Sequence, residues 1–267
     1  AVLASVEERE KPYLRGAPIV IGADPRGGEG RGVVSTASYP ARAYGVKSAM
    51  PISKAWRLCE EARARGEPPC IFIVPRSRKY GAASQEVFKV VEEYTDKIEQ
   101  VSVDEAYLDL SRHGSFGRAA AAAKQMQSAI LGRTGLTCSV GIGPSKLIAK
   151  LASERRKPRG LTVVTPDGID RFLRPLPLQS IPGIGPKAME RFARRRMKTV
   201  KDARALSWED LGKMFGSWGF GLYERLRGID DRGVETEHED AKSIGKHHTF
   251  DEDTLDMEEI FSVIAKQ

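Results

Sequence analysis

The placement of strand-forming segments constrains this chain more than any other feature: all of them lie before residue 165, and only helical patterns follow. Short apolar runs rich in Val, Ile and Phe predict strands over residues 18–22, 32–37, 70–75, 98–103, 107–110, 136–140 and 161–164. The run at 70–75 reads as buried. Helical spacing is predicted before Pro12, around 40–44, and over 53–64, 80–94, 119–130 and 146–156. From Pro166 onward the candidates are short helices at 168–173, 186–196, 208–215 and 219–227. An α+β domain followed by a small all-helical one is the architecture this order predicts. With 267 residues and no internal repeat, two or three compact units are expected.

Several classes are excluded. No stretch comes near the ~20 apolar residues of a membrane span, and no secretory signal opens the chain. The first residue is Ala1, not Met, which reads as a fragment of a longer protein. Cys59, Cys70 and Cys138 form no CxxC pair, so neither a disulfide framework nor a structural zinc site is expected. A reducing, cytoplasmic setting follows. Only four histidines are present, which argues against a His-based metal centre.

Charge is unevenly spread. The chain carries a net +7, yet residues 143–204 hold sixteen basic and five acidic residues. A basic segment this concentrated is the electrostatic footprint of a polyanion binder. Residues 230–256 instead hold ten acidic and three basic residues and read as an exposed linker.

Four local patterns carry chemistry. In Ser102-Val103-Asp104-Glu105-Ala106-Tyr107, two carboxylates sit at the tip of a predicted β-hairpin among apolar residues. Like charges this close repel unless a cation neutralises them. Hard oxygen donors in such a pair suit Mg²⁺, which needs only one or two carboxylates besides substrate phosphates. In Thr36-Ala37-Ser38-Tyr39-Pro40-Ala41-Arg42, Tyr39 and Arg42 would share one side of a helical turn, where a phenol and a guanidinium form a phosphate clamp. The glycines of Ser139–Lys146 allow close backbone approach, and a helix carrying Lys146 and Lys150 with a Lys157-Pro158 exit places cations at its two ends. Finally, Ile181-Pro182-Gly183-Ile184-Gly185-Pro186-Lys187 is an apolar-Gly-apolar-Gly turn opening a helix. It precedes Arg191, Arg194, Arg195 and Arg196. This is the helix-hairpin-helix pattern, which exposes backbone N–H groups to nucleic-acid phosphates without reading sequence.

Taken in order, these pieces resemble a family. Ala4-Ser5-Val6-Glu7, Tyr39-Pro40-Ala41-Arg42, Tyr44–Pro51, Ser102–Asp109, Lys146–Gly160 and Ile181–Gly185 are together similar to the Y-family DNA polymerases of the DinB, or DNA polymerase IV, type. The likeness runs over nearly the whole chain. It implies a right-hand polymerase core of α+β class: a palm with an antiparallel sheet backed by helices, small α/β fingers, and a small all-helical thumb with the helix-hairpin-helix. Palm is expected at 1–5 and 68–165, fingers at 6–67, thumb at 166–233, and the start of a little finger within 234–267. The implied activity is template-directed, translesion DNA synthesis with low fidelity and no proofreading, in which a primer 3′-OH attacks the α-phosphate of a dNTP. The implied cofactor is two Mg²⁺ ions, for which Mn²⁺ can substitute.

Carried onto this sequence, the resemblance makes Asp104 and Glu105 catalytic metal ligands. Thr36, Tyr39, Arg42 and Lys157 hold the incoming nucleotide. Pro182, Gly183, Ile184, Gly185 and Lys187 hold the DNA backbone. Primer-template DNA and dNTPs are the implied partners of a monomer, and a sliding clamp is reached through a tail beyond Gln267. Three departures stand out. The strand that carries a further metal-binding Asp in the family is absent before Ala4. Leu3 occupies the position where an aromatic ring blocks a ribose 2′-OH. Only the approach to the little finger, from Ser243 through Lys246 to Gln267, is present. The chain by itself is therefore expected to be nearly inactive. Two other readings remain: a nucleotidyl cyclase-like palm, which does not need the basic turn at 181–185, and a non-catalytic DNA-binding protein, which does not need Asp104-Glu105.

Overall fold

In a computed structural model, residues 2–237, 242–245, 247–250 and 252–265 are described. The expectations at Lys246 and Gln267 lie outside them. The chain divides into two compact units, residues 1–86 with 238–267, and residues 87–237.

The first unit is built on a three-stranded sheet in the order β2-β1-β3, formed by β1 (Ile19–Gly22), β2 (Val34–Ala37) and β3 (Ile71–Ile73). β1 runs antiparallel to β2, with Ile21 opposite Thr36, and parallel to β3, with Ile21 opposite Ile73. All four β1 residues are buried, as expected for a central strand covered on both faces. Alternation along it feeds two cores. Ile19 and Ile21 pack with Ala4 and Leu14, next to helix α1 (Val2–Glu10). Val20 packs with Val34, Ala37, Ala41, Ile52, Ala55 and Cys59, under α2 (Tyr39–Ala43) and α3 (Ile52–Ala64). Gly22 is required where β1 bulges, because a Cβ there would lie 2.6 Å from the Val33 carbonyl oxygen.

Two expectations are corrected in this unit. The segment at 70–75 is shortened to β3 and is only half-buried, because it lies at the sheet edge beside one neighbour. Cys59 and Cys70 are joined by a disulfide. The turn after α3 folds the chain back so tightly that their Cα atoms stand 5.8 Å apart, well inside bridging range. Sequence spacing alone gave no hint of that proximity. Helix α12 (Met257–Ala265) was also not foreseen.

The boundary between units falls within α4 (Ser77–Val91). In the second unit, β4 (Ile98–Gln100) and β5 (Ala106–Leu108) form an antiparallel hairpin with Glu99 opposite Tyr107. β6 (Val140–Ile142) and β7 (Leu161–Val163) are parallel and joined by α6 (Lys146–Arg155). The α+β class holds, but the strands run as three small sheets, and in the second unit β4–β5 is antiparallel while β6–β7 is parallel. α5 (Phe116–Thr134) sets Met126 and Ile130 against Val90 and Val91 of α4.

The strand predicted at 136–140 begins only at Val140. Its lead-in finds other partners: Leu136 N–H donates to Thr134 Oγ1 at 3.1 Å, and the Gln127 amide donates to the Cys138 carbonyl at 2.9 Å. Gly141, inside β6, lies against the α6 backbone, where any side chain would collide.

After β7 the regular elements of this unit are helices: α7 (Ile169–Leu173), α8 (Pro186–Arg194), α9 (Val200–Ala203), α10 (Trp208–Phe215) and α11 (Ser217–Arg227). They enclose Leu178, Ile181, Phe192, Leu211, Leu222 and Leu226. The unforeseen α9 opens on a capping box in which Thr199 and Asp202 exchange side-chain and backbone hydrogen bonds.

Candidate active site

The β4–β5 hairpin places its two acids at the tip. Val101 and Ser102 N–H groups donate to the Glu105 carbonyl at 2.9 and 3.1 Å, closing the turn. Asp104 is exposed; its carboxylate accepts from the Ser102 hydroxyl at 3.0 Å, and that hydroxyl accepts from the Asp104 N–H at 3.2 Å. The loop thus holds Asp104 outward while the strands hold its base. Glu105 is paired with the Lys150 ammonium, which reaches it from α6.

One turn earlier on α6, Lys146 places its ammonium on both oxygens of Glu99 at 2.6 and 2.8 Å and 5.3 Å from the Tyr107 ring centroid. Glu99 also accepts the Glu235 N–H at 2.8 Å. Burial works against its charge, but that N–H and Lys146 outweigh it and hold the carboxyl below its ordinary range. Burial likewise opposes the charge on Lys150, yet the bond and attraction to Glu105 leave its amine above the ordinary value. At the N-terminus of α6, Ser145 caps Ile148 N–H, and Asp230 accepts Leu147 N–H at 2.9 Å. Asp230 is itself clamped by Arg232 at 2.7 and 3.0 Å.

These countercharges were missed in the sequence. Lys146 and Lys150 are legible as cations four apart on a helix, and Glu99 and Glu105 as acids of a hairpin. Pairing them needs the knowledge that α6 runs beside β4 and β5.

Asp104 and Glu105 offer hard oxygen donors of the kind Mg²⁺ takes together with substrate phosphates. Among the described residues, no three or more His, Cys, Asp or Glu side chains gather into a metal-binding group. A cation held by these two acids would therefore draw its remaining ligands from elsewhere.

The other expected residues fall in three places. In the first unit, Thr36 is buried on β2, while Tyr39, 47% exposed, and Arg42 share α2. Arg42 donates from Nε to the Ala37 carbonyl at 3.0 Å, with its guanidinium carbon 5.9 Å from the Tyr39 ring centroid. The two thus share one side of the turn, as expected. Leu3 lies on α1 against the Ala4–Leu14–Ile19–Ile21 core. In the second unit, Lys157 follows α6 and pairs with Glu154, and a cis peptide joins it to Pro158.

The turn at 181–185 lies between buried Ile181 and Ile184, with Gly183 at φ +93 and Gly185 as the N-cap of α8. Pro182 lies within it, and exposed Lys187 follows it. Of the following basic residues, Arg191 is committed locally, bonded to the Met214 carbonyl and set 5.5 Å from the Phe215 ring centroid.

Residues 1–154 match the impB/mucB/samB family, and residues 166–195 match the helix-hairpin-helix motif of the same family. A DNA polymerase IV of Methanoculleus marisnigri is 43% identical over 263 residues, covering 98% of this chain and 71% of that protein. One of Leptospira interrogans is 41% identical over 261 residues, covering 97% of this chain and 69% of that protein. Among solved structures, DinB from Sulfolobus solfataricus superposes with a TM-score of 0.77 at 31% identity, covering 88% of this chain and 66% of that one. An insertion ternary complex of Dbh DNA polymerase superposes with a TM-score of 0.75 at 31% identity, covering 87% of this chain and 66% of that one. The chain thus spans about two thirds of the length of the solved structures it matches.

Proposed function

The chain belongs to the impB/mucB/samB family, the Y-family of DNA polymerases, and we propose that it is the core of a translesion DNA-directed DNA polymerase. The observation that carries this reading is the Asp104-Glu105 pair at the tip of the β4–β5 hairpin, inside the segment that matches the family. Palm is assigned to 1–5 and 68–165, fingers to 6–67, thumb to 166–233, and the approach to a little finger to 234–267. The match of the helix-hairpin-helix at 166–195 supports the thumb assignment.

Asp104 and Glu105 would hold divalent cations, Mg²⁺ first among them. When bound, such ions supply positive charge to the oxygens of a phosphoryl transfer and favour the ionised form of an attacking hydroxyl. Tyr39 and Arg42 bind the triphosphate of a dNTP by a hydroxyl donor and a delocalised cation, with Thr36 on the adjoining strand. Lys157 adds a further cation, for which it exchanges its surface pairing with Glu154. At the thumb, Pro182–Gly185 and Lys187 grip the primer-template backbone, since the first turn of α8 presents unpaired N–H groups and the positive end of its dipole. Leu3 lies under the sugar of the incoming nucleotide. Among the described residues, no helix is long and apolar enough to cross a membrane.

Primer extension with dNTPs and Mg²⁺ by the full-length protein tests this. Extension lost in Asp104→Ala supports the reading, and extension at the parent rate in that variant overturns it. A cyclase would make cyclic product from the nucleotide alone, and a binding protein would make none.

A further inference from the structure

We propose that Lys150 is a tethered countercation of the Asp104-Glu105 pair, competing with a divalent ion for Glu105 and setting how tightly the pair takes one. The proposal rests on the assignment of that pair as the metal-binding carboxylates.

Two lysines of α6 face the β4–β5 hairpin, and they are not equivalent. Lys146 and Glu99 form a closed pair, with side chains only 7% and 20% exposed. Both Glu99 oxygens are engaged by the ammonium, and the Glu235 N–H adds a third bond. Lys150 and Glu105 form an open one, 32% and 40% exposed, in which the ammonium takes a single carboxylate oxygen, Oε1. The first pair is a fixed brace. The second can part without burying an unpaired charge, because water reaches both partners.

Two neighbouring carboxylates repel, and a cation beside them relieves that repulsion. Lys150 supplies one positive charge to a pair carrying two negative ones. A divalent cation arriving at Asp104 and Glu105 then meets an ammonium a few ångströms away. It must either displace that ammonium from Oε1 or bind against its charge. Each route lowers affinity, by an amount that follows the Coulomb energy between a divalent and a monovalent cation in a wet site. A lysine so placed keeps the hairpin tip neutralised and ordered between encounters. It also favours ions that arrive with extra negative ligands, as a metal–triphosphate does, because those ligands offset the ammonium charge.

The test is Mn²⁺ binding to the 267-residue chain, read from the electron paramagnetic resonance signal of free Mn²⁺, with Mg²⁺ as competitor. Lys150→Met keeps the apolar stem and the helix preference. Its Mn²⁺ dissociation constant is expected to fall about five- to tenfold, with Mg²⁺ displacing Mn²⁺ at correspondingly lower concentration. Lys150→Gln, with circular dichroism reporting its folding, should shift in the same direction. Lys150→Arg should stay within about twofold of the parent, since it keeps the charge. An unchanged or weakened affinity in both neutral variants overturns the proposal. Asp104→Asn and Glu105→Gln separate it from the reading beneath it. If these two abolish Mn²⁺ binding while the Lys150 variants leave it unchanged, Lys150 alone is misassigned. If they leave binding untouched, the carboxylate pair is not the metal site and both ideas fall.

Discussion

The Tyr80 hydroxyl donates a 2.7 Å hydrogen bond to Glu7, a carboxylate that is only 2% exposed. Lys79 reaches the other oxygen of Glu7 at 2.9 Å and also pairs with Glu10 at 2.7 Å. Helix α1 is thereby fastened to α4 through a buried Glu7, with the outer Glu10 of the network open to water. Burial opposes ionisation of Glu7, but the bonds from Lys79 and Tyr80 outweigh it and hold its carboxyl below the ordinary 4.5. Tyr80 is raised above its ordinary 10.0, by burial first and by Glu7 second. Lys79 is raised above 10.5, because its two acid partners overcome its own burial.

The stability contributed by Glu7 is fully present above pH 4.5 and is lost as pH falls through its lowered folded value. The contributions of Tyr80 and Lys79 are present below their ordinary values of 10.0 and 10.5 and are lost as pH rises through their raised ones. Thermal melts should therefore show a plateau between these limits. Tyr80→Phe should cost about 1 kcal/mol and Glu7→Gln about 1–3 kcal/mol at pH 7, because each leaves a buried partner short of a bond. Equal melting of Glu7→Gln and the parent would show that this network does not hold the unit together.

Loss of Asp104 should separate chemistry from binding. In the full-length protein, Asp104→Ala is expected to reduce single-turnover dNTP insertion at least about 100-fold, the scale of losing one strong electrostatic contact to a developing charge. The side chain is exposed and bonded only locally through Ser102, so folding and duplex affinity should stay near the parent values. Fluorescence anisotropy with labelled primer-template checks the second half.

The 267-residue chain by itself should extend primers poorly. Among its described residues no three hard ligands gather into a metal-binding group, and Lys150 already offsets part of the charge of the Asp104-Glu105 pair. A turnover rate roughly 100-fold or more below that of a full-length version is expected. Matched rates, measured side by side on one template, would mean that these two carboxylates suffice.

At the turn into α8, Lys187 is exposed beside Gly185 and is expected to contact phosphate. Lys187→Ala should weaken binding to unrelated duplexes to a similar degree and reduce the slope of log affinity against log salt by about one. Arg191 is a poorer target, since its guanidinium supports the Met214 carbonyl and the Phe215 ring. A loss confined to one duplex sequence would contradict backbone recognition.

What was legible in the sequence follows from how far each signal reaches along the chain. Ile19, Val20 and Ile21 announce a strand because burial on both faces leaves no polar position. Tyr39 and Arg42 announce a shared side because they lie within one helical turn. The Asp104-Glu105 tip is legible from apolar residues on either side of it. Pairings across long separations are not. Nothing local to Glu105 selects Lys150, 45 residues away, and nothing local to Glu7 selects Tyr80, 73 residues away. Cys59 and Cys70 are closer in sequence, yet their bridge depends on how the turn after α3 lays β3 beside β1, a tertiary fact. The start of β6 shifted from Leu136 to Val140 because the side chains of Thr134 and Gln127 took up the backbone groups of its lead-in.

Leu3 gives the last prediction. It sits on α1, half-buried against Ala4, Leu14, Ile19 and Ile21, and the Glu7 network one turn on keeps that helix in place. A planar aromatic ring at this position would be rigid about two torsions and would present a wall to a ribose 2′-OH. Leu3 is shorter, and its branched end can change rotamer at little cost, so the full-length protein should discriminate weakly against ribonucleotides. The size of the effect is bounded by the worth of one small steric difference in a pocket, about 1–3 kcal/mol or roughly 10–200-fold in the ratio of dNTP to rNTP insertion efficiency. Leu3→Phe should raise that ratio within this range and leave dNTP insertion close to the parent rate. Leu3→Ala should lower it further or leave it unchanged, since the wall is already short. Single-nucleotide insertion kinetics with matched dNTP and rNTP measure both. If the Phe variant keeps the parental ratio, the 2′-OH is met by another group, and Leu3 serves only to pack α1 on the sheet.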